Sequence, residues 1–349
     1  MPSPSKESLS KSTTVINMIK DKLASIDRID LANLPTPVYQ LKNVSRELGK
    51  NIWIKRDDYT GVEMSGNKVR KLEYSIAQAL KEGADVLITA GGIQSNHARA
   101  TAAAAARLGL KSHLVLEISA APKAEGNYLL DQMFGAKITL LNENEGITFA
   151  EKFQEIAEEY RKAGLKPYII PVGASNGIGN FGYLNAVKEI AEQEEKLGVS
   201  FDAIVCATGS GGTYSGLYLG NKLFDRNKKI VGITVCDNKE YFTKVCGTIV
   251  DETLSLLGED PDPDKDFTFI DGYKGLGYAI SKPDELKFIA EIAAKEGIVL
   301  DPVYTGKAFY GLYNEVKKGT FDSCENILFI HTGGQYGLFP KQGQMAEVL

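Results

Sequence analysis

A cluster of cationic side chains lies at the start of a predicted helix. The segment EMSGNKVRKLEY, residues 63–74, places Lys68, Arg70 and Lys71 within four positions. The unpaired N–H groups at a helix start carry partial positive charge, so a lysine in the first turn is electrostatically unfavourable. The helix start and the neighbouring cations lower the pKa of Lys68. A neutral or covalently linked amine at this position avoids the electrostatic repulsion. Lys68 is therefore the candidate nucleophile and base.

A second candidate site is the segment GGIQSN, residues 91–96, between an apolar strand and an Ala-rich helix. Ser95 and Asn96 are both favoured as helix N-caps, and capping accounts for one of them. A hydroxyl, an amide and exposed N–H groups at a helix N-terminus would also bind a carboxylate. Both interpretations stay open on these residues alone.

A third candidate site is TGSGGT, which again joins a strand to a helix and comprises Thr208, Gly209, Ser210, Gly211, Gly212 and Thr213. Glycines that let the backbone curl, together with hydroxyl groups, are typical of phosphate sites. A plain glycine-rich turn is the alternative. The motif also partly matches a dinucleotide-binding loop, with Asp237 following the next strand, so a nicotinamide-dependent dehydrogenase remains a rival.

Two further strand ends carry residues that could line a planar ligand. One is LDPVYTGKA with Tyr304 and Thr305, and the other is HTGGQYGLF with Thr332. One ligand requires a phosphate anchor, a reactive lysine and a carboxylate pocket at once, namely pyridoxal 5′-phosphate with an amino acid substrate. The sequence therefore predicts this cofactor and a small amino acid substrate.

These loops need parallel sheets to bring them together, because ligands bind at the carboxyl ends of parallel strands. Short β-branched runs alternate with helical segments, which predicts an α/β fold of open, mostly parallel sheets flanked by helices. The predicted strands are NIWIK, DVLITA, SHLVLE, KITLL, PYIIPV, DAIVCA, KIVGITVC, GIVLDPV and NILFIHT. We predict a smaller domain at residues 65–171, inserted into a larger cofactor-binding domain of residues 1–64 and 172–349, with the ligand in the cleft between them.

Length and composition exclude several classes of protein. A chain of 349 residues is too long for one hydrophobic core and favours about two domains. The net charge is −5 without a block of like charge, so we expect neither nucleic acid nor membrane as a partner. The four cysteines form no C-x-x-C pair, which indicates reduced thiols in a cytoplasmic protein. The three histidines have no metal-ligand spacing, and the polar N-terminus, residues 1–14, indicates a frayed tail rather than a signal peptide.

The segments GNKVRKLEY, GGIQSNHARATAAAAARLGL, LDPVYTGKA and HTGGQYGLF resemble the D-cysteine desulfhydrase / 1-aminocyclopropane-1-carboxylate deaminase family. The resemblance covers about residues 34–339 and implies a pyridoxal-phosphate enzyme of fold type II, the tryptophan-synthase-β type, and a homodimer. It implies that Lys68 links covalently to the cofactor, that Asn96 hydrogen-bonds the cofactor's 3′-oxygen and that residues 208–213 bind the phosphate. The implied substrate site comprises Ser95, Asn96, His97, Tyr278 and Tyr304, with Lys68, Ser95 and the two tyrosines as the catalytic residues.

Two positions discriminate within this family. The deaminases carry Glu after the DPVY tyrosine and Leu in place of the first Thr of HTGG, whereas this chain has Thr305 and Thr332. A hydroxyl beside the pyridine nitrogen supports a weaker electron sink than a carboxylate. The resemblance therefore implies β-elimination of D-cysteine to pyruvate, ammonia and hydrogen sulfide. Alternatives are 1-aminocyclopropane-1-carboxylate deamination, a lyase for cysteate or D-serine, the dehydrogenase, and a non-catalytic amino acid sensor.

Overall fold

The computed structural model describes residues 21–142 and 144–349, so the N-terminal tail predicted at residues 1–14 lies outside the described residues. The strands are β1 (Val38–Gln40), β2 (Asn51–Lys55), β3 (Val86–Gly92), β4 (Lys111–Ile118), β5 (Lys137–Asn142), β6 (Pro167–Ile169), β7 (Ala203–Thr208), β8 (Lys229–Thr234), β9 (Thr268–Ile270) and β10 (Asn326–Ile330). The α-helices are α1 (Lys42–Leu48), α2 (Lys68–Lys81), α3 (Asn96–Leu108), α4 (Gly126–Met133), α5 (Phe149–Lys162), α6 (Gly177–Leu197), α7 (Gly212–Leu223), α8 (Lys239–Leu256), α9 (Pro283–Glu296), α10 (Thr305–Lys317) and α11 (Gln342–Ala346).

The larger sheet has six strands in the order β1-β2-β10-β7-β8-β9, and only β1 runs antiparallel to its neighbour. Its central strand β7 is buried along its whole length. Apolar clusters lie on both faces of this sheet, one around Leu217 of α7 and the other around Phe309 of α10. Helices therefore cover both faces, as expected for continuous apolar runs in a parallel sheet.

The smaller sheet has four parallel strands in the order β5-β4-β3-β6. The Ala-rich helix α3 contributes Ala98 and Ala102 to one apolar cluster, and Ala100 and Ala104 to another. Small side chains on both faces let this helix pack between the sheet and helix α2, where longer side chains would not fit. The fold class predicted from the sequence is confirmed, whereas the domain boundaries at residues 64/65 and 171/172 remain a prediction.

One predicted strand is wrong. The segment GIVLDPV, residues 297–303, has no strand in the structure, although Ile298 and Leu300 are buried in the core. The Asp301 carboxylate instead accepts hydrogen bonds from the backbone N–H groups of residues 303–305, which turns the chain into α10. Pro302 also lacks the N–H group that a ladder needs. The short strands β1 and β9 were not predicted.

The loops that carry the candidate residues follow strands of both sheets. The GGIQSN loop joins β3 to α3, and the TGSGGT loop joins β7 to α7. None of the helices in residues 21–142 and 144–349 is long and apolar enough to cross a membrane.

Candidate active site

A cavity lies where these loops meet, and it holds about 410 Å³ of space, part of it open to solvent. Both the amino end of α2 and the carboxyl ends of β7 and β10 contribute to its wall. The residues that line it are Asn67, Lys68, Asn96, Ala207, Thr208, Gly209, Ser210, Gly211, Thr213, Tyr214, Tyr304, Thr332 and Gly333. The predicted site residues Lys68, Asn96, Tyr304 and Thr332 therefore meet in one place, together with most of the TGSGGT loop.

Helix α2 begins at Lys68, as predicted, and Asn67 holds this end in place. The Asn67 side chain donates to Thr213 Oγ1 at 2.8 Å, and its backbone N–H donates to the carbonyl of Thr332 at 3.1 Å. Gly66 has a φ of +109°, and a Cβ there would lie 2.8 Å from the Thr332 carbonyl oxygen. Only glycine permits this approach, so three separate loops converge on Lys68.

Burial lowers the pKa of Lys68 from 10.5 to about 8. Arg70, which the sequence suggested as a further cause, turns away from the cavity and pairs with Asp57 and Glu189. The cation next to Lys68 is instead Lys71, whose amino group interacts with it. Desolvation is thus the main reason that Lys68 can reach its neutral, nucleophilic form near neutral pH.

Lys71 was missed as a site residue because its burial is a tertiary effect. It has no exposed surface, and its Nζ donates to Ser175 Oγ at 3.3 Å. Burial lowers its pKa well below 10.5, and the charge of Lys68 lowers it further. No carboxylate within the described ranges pairs with it. A buried amine whose charged form has no counter-ion indicates a place for an anion, which would restore its charge.

The TGSGGT loop lies beside Lys71 and ends at the N-terminus of α7. Gly211 has a φ of +84°, and a Cβ on Gly212 would lie 2.7 Å from Ser175 Oγ and 3.1 Å from Lys71 Nζ. The glycines thus leave open a cradle formed by the helix end, Ser210 and the lysine. This combination binds phosphate groups. Thr208 contributes its backbone, because its hydroxyl faces Gly232 of β8.

The GGIQSN loop places its polar residues differently. Ser95 is the N-cap of α3, with its Oγ accepting from the backbone N–H of Ala98 at 3.1 Å. Asn96 lines the cavity, whereas His97 is buried outside it and shares a 2.8 Å hydrogen bond with Thr89. Burial lowers the pKa of His97 well below 6.5, so this ring stays neutral.

Tyr278 and Tyr304 form a pair whose hydroxyl oxygens are 2.7 Å apart. The Tyr304 ring packs against Gly209, where a Cβ would lie only 2.9 Å from it, and the Tyr278 ring lies over Gly92. The loop that carries Tyr278, residues 274–281, is held by Lys307, which donates to three of its carbonyl oxygens. Burial raises the pKa of Tyr304, and desolvation raises that of Tyr278 even though 46% of this residue is exposed, so both hydroxyl groups stay protonated.

Thr332 and Thr305 occupy different environments. Thr332 lines the cavity, but Thr305 does not. The Thr305 hydroxyl donates to Asp301 Oδ1 at 2.7 Å and accepts from the Asp301 backbone N–H at 2.8 Å. Thr305 therefore stabilises the turn at the start of α10, and its predicted contact with the cofactor would need these bonds to change.

The two-sheet α/β fold, with a buried lysine at one helix start beside a glycine-rich helix N-terminus, is that of pyridoxal-phosphate enzymes of fold type II. A family model described as pyridoxal-phosphate dependent enzyme matches residues 29–333. The chain belongs to this family and uses pyridoxal 5′-phosphate. The alternative of a nicotinamide-dependent dehydrogenase has no support among the relatives.

The relatives narrow the family further. The chain is 42% identical over 331 residues to the bifunctional D-cysteine desulfhydrase/1-aminocyclopropane-1-carboxylate deaminase of Arabidopsis thaliana, covering 91% of this chain and 81% of that protein. It is 39% identical over 332 residues to D-cysteine desulfhydrase of Yersinia enterocolitica, covering 94% and 99%. A crystal structure of an ACC deaminase homologue superimposes with a TM-score of 0.87 at 42% identity, covering 95% of this chain and 99% of that one.

Proposed function

We propose that this protein is a lyase that converts D-cysteine and water into pyruvate, ammonia and hydrogen sulfide. When bound, the cofactor supplies a conjugated ring that delocalises the electron pair left at Cα after the loss of its proton. The role of the chain is to hold the cofactor and the substrate, to move protons and to assist the departure of the sulfur.

One observation carries the choice of reaction. Among the described residues that line the cavity, none is acidic, and Thr332 contributes a hydroxyl. Without a carboxylate to keep a pyridine nitrogen protonated, the ring is a weaker electron sink. A thiolate is a good leaving group at the β-carbon, whereas opening a cyclopropane needs stronger activation. The lining of the cavity therefore favours the desulfhydrase reaction.

Lys68 is the residue that we assign to covalent attachment and to removal of the Cα proton. Its lowered pKa of about 8 leaves a usable fraction of neutral amine near neutral pH. Residues 208–213, the N-terminus of α7 and Lys71 would hold the phosphate. The phosphate would give Lys71 the counter-ion that it lacks in the protein alone.

The start of α3 is the proposed site of the substrate carboxylate. Ser95 Oγ already accepts from Ala98, so its own hydroxyl proton is free to be donated to a carboxylate. The neighbouring N–H groups at the start of this helix add positive potential. Asn96, which lines the cavity, is the residue that we assign to the contact with the cofactor oxygen.

The tyrosine pair is the proposed acid for the sulfur. As the bond between Cβ and sulfur breaks, the sulfur takes the electron pair and accepts a proton from a tyrosine hydroxyl. The raised pKa values keep both hydroxyls protonated, and their mutual hydrogen bond lets one tyrosine resupply the other. The released 2-aminoacrylate then takes up water and yields pyruvate and ammonia.

The deciding experiment measures products from D-cysteine, L-cysteine and 1-aminocyclopropane-1-carboxylate side by side. We expect pyruvate and sulfide from D-cysteine with the highest kcat/KM. Faster formation of 2-oxobutyrate from the cyclopropane would identify a deaminase instead, the activity for which several relatives are named. Cysteate and D-serine complete the panel, and a cofactor-loaded protein without turnover on any of these would favour an amino acid sensor. The homodimer and the cytoplasmic location remain predictions.

A further inference from the structure

A chain of buried hydrogen bonds runs from helix α4 to the cavity. Its centre is Asn127, which has no exposed surface. The Asn127 Nδ2 group donates to Asn96 Oδ1 at 2.9 Å and to the backbone carbonyl of Gln94 at 2.8 Å. Its Oδ1 accepts from Arg99 Nε at 2.8 Å. None of these residues except Asn96 reaches the cavity.

The donor and acceptor roles in this series of hydrogen bonds can be arranged in only one way. An arginine can only donate, and a backbone carbonyl can only accept. Arg99 therefore forces Asn127 to present its oxygen, and Gln94 forces it to present its amide nitrogen on the other side. A flipped Asn127 amide would set two donors against each other at Arg99. The orientation of Asn127 is thus fixed from two sides by groups that cannot reverse their roles.

The fixed orientation of Asn127 determines the orientation of the Asn96 side-chain amide. Because its Oδ1 accepts from Asn127, its Nδ2 is the end left for the cavity, and no residue of the described chain accepts from that nitrogen. We propose that Asn127, held by Arg99, is a positioning residue that makes Asn96 present a hydrogen-bond donor to the cofactor oxygen. This proposal rests on the assignment of Asn96 in the proposed function.

Arg99 also connects this series of hydrogen bonds to the loop before Lys68. Its two terminal nitrogens donate to the backbone carbonyls of Glu63 and, at 2.7 Å, of Ser65. Gln94 secures the other end, because its Oε1 accepts from the Asn127 backbone N–H at 2.8 Å. One arginine thus determines both the orientation of Asn96 and the course of the chain that leads to Lys68.

The test is Asn127→Asp in the cofactor-loaded enzyme, without substrate. Aspartate still accepts from Arg99 but cannot donate, so Asn96 must turn its own Nδ2 toward it and leave an oxygen facing the cavity. A donor at the cofactor oxygen favours its deprotonated, visible-absorbing form. We expect the ratio of visible to near-ultraviolet absorbance at fixed pH to fall about threefold or more, with a similar loss of cofactor affinity.

Two control variants distinguish the positioning role of Asn127 from the assignment of Asn96 to the cofactor oxygen. Gln132→Glu makes the same amide-to-acid change at an exposed position of α4, where the side chain makes no hydrogen bond to Asn96 or Arg99, and it should leave the absorbance ratio unchanged. Asn96→Ala should lower the ratio by itself. An effect of Asn96→Ala without an effect of Asn127→Asp would overturn the positioning role alone. If neither variant changes the ratio, the assignment of Asn96 and the role of Asn127 both fail.

A second variant at the same position keeps the proposal testable if Asn127→Asp does not fold. Asn127→Ser carries no charge, and its shorter hydroxyl does not reach Asn96, so it should also lower the ratio. Circular dichroism identifies which variants are folded, and only those are compared. A folded Asn127→Ser enzyme with the wild-type absorbance ratio contradicts the proposal.

Discussion

The hydroxyl oxygens of Tyr278 and Tyr304 lie 2.7 Å apart, although the two residues come from different loops of the larger sheet. Tyr304 is fixed by its contact with Gly209 of the proposed phosphate loop, and Tyr278 lies over Gly92 of the proposed carboxylate loop. The pair therefore joins the two ends of the proposed site. This position is the reason that we assign the tyrosines to the β-substituent of the proposed substrate.

Removal of either hydroxyl should slow the reaction. Tyr278→Phe and Tyr304→Phe keep the rings but remove the proton donor, and general acid catalysis is worth about 10²-fold or more. We expect kcat for D-cysteine to fall by that factor, with the visible spectrum of the bound cofactor unchanged. Tyr273→Phe is the matched control, because the Tyr273 hydroxyl lies outside the cavity. It donates a hydrogen bond to Glu315 Oε1 at a distance of 2.6 Å. Wild-type turnover in both site variants would exclude the tyrosines as acids.

The uptake of the cofactor by the cofactor-free protein should depend on pH through Lys68. Only a neutral amine attacks an aldehyde, and the pKa of Lys68 is lowered from 10.5 to about 8. The rate of uptake should therefore rise about tenfold per pH unit below this value and level off above it. Stopped-flow absorbance measures the rate. A rate that keeps rising toward pH 10.5 would mean that Lys68 is solvated like a surface lysine.

Lys71→Met should have opposite effects on the protein with and without the cofactor. Methionine has a similar volume and removes a buried cation that has no carboxylate partner in the described structure. The free energy of unfolding of the cofactor-free protein should rise by about 1–3 kcal/mol. Affinity for the cofactor should fall by about tenfold or more, since the phosphate loses a charge-assisted bond.

Thermal melts and equilibrium dialysis measure these two effects. Lys81→Met at the exposed end of the same helix is the control, because Lys81 forms a surface ion pair with Asp27 and should change neither quantity appreciably. Loss of stability in cofactor-free Lys71→Met would contradict the interpretation of Lys71 as an unpaired cation that awaits an anion.

The ion pairs behind α2 should be needed for stability. Asp57 is fully buried and receives hydrogen bonds from Arg70 and Tyr183. Burial raises its pKa, but Arg70 and Lys55 overcome this and lower it from 3.8 to about 2. Asp57→Asn leaves both cations with only Glu189, and we expect a loss of about 3–5 kcal/mol in urea unfolding.

The same carboxylate gives a pH dependence with a defined sign. Because the folded state lowers the pKa of Asp57, the unfolded state binds more protons between pH 3.8 and 2. The contribution of Asp57 is therefore present above pH 3.8 and is lost as the pH falls toward 2. Unfolding of Asp57→Asn should be less steeply dependent on pH in this range. An equal slope in both proteins would show that Asp57 does not titrate in this way.

Much of the fold could be predicted because alternating apolar runs determine parallel strands and their helices. The error at residues 297–303 arose because the burial of Ile298 and Leu300 imitates a strand, while Asp301 and Pro302 favour a turn. The strands β1 and β9 have only three residues each and, unlike the equally short β6 in PYIIPV, they do not lie in a longer apolar run.

The site was predictable where one segment contains the whole signal, as for Lys68 and residues 208–213. Lys71 and Asn127 were not predictable, since their importance depends on burial and on partners from distant segments. The sequence marked Lys71 only as a cationic neighbour of Lys68, and nothing in it showed that this side chain is buried. Similarly, only the structure places the Thr305 hydroxyl against Asp301.

The central claim is that Lys68 carries the cofactor, and reduction followed by mass spectrometry tests it most directly. Borohydride treatment of the cofactor-loaded enzyme fixes the cofactor to its lysine, and digestion then locates the adduct. We predict a single modified site at Lys68, and none in Lys68→Ala. An adduct at Lys71 or on another peptide, or no adduct at all, would contradict the account.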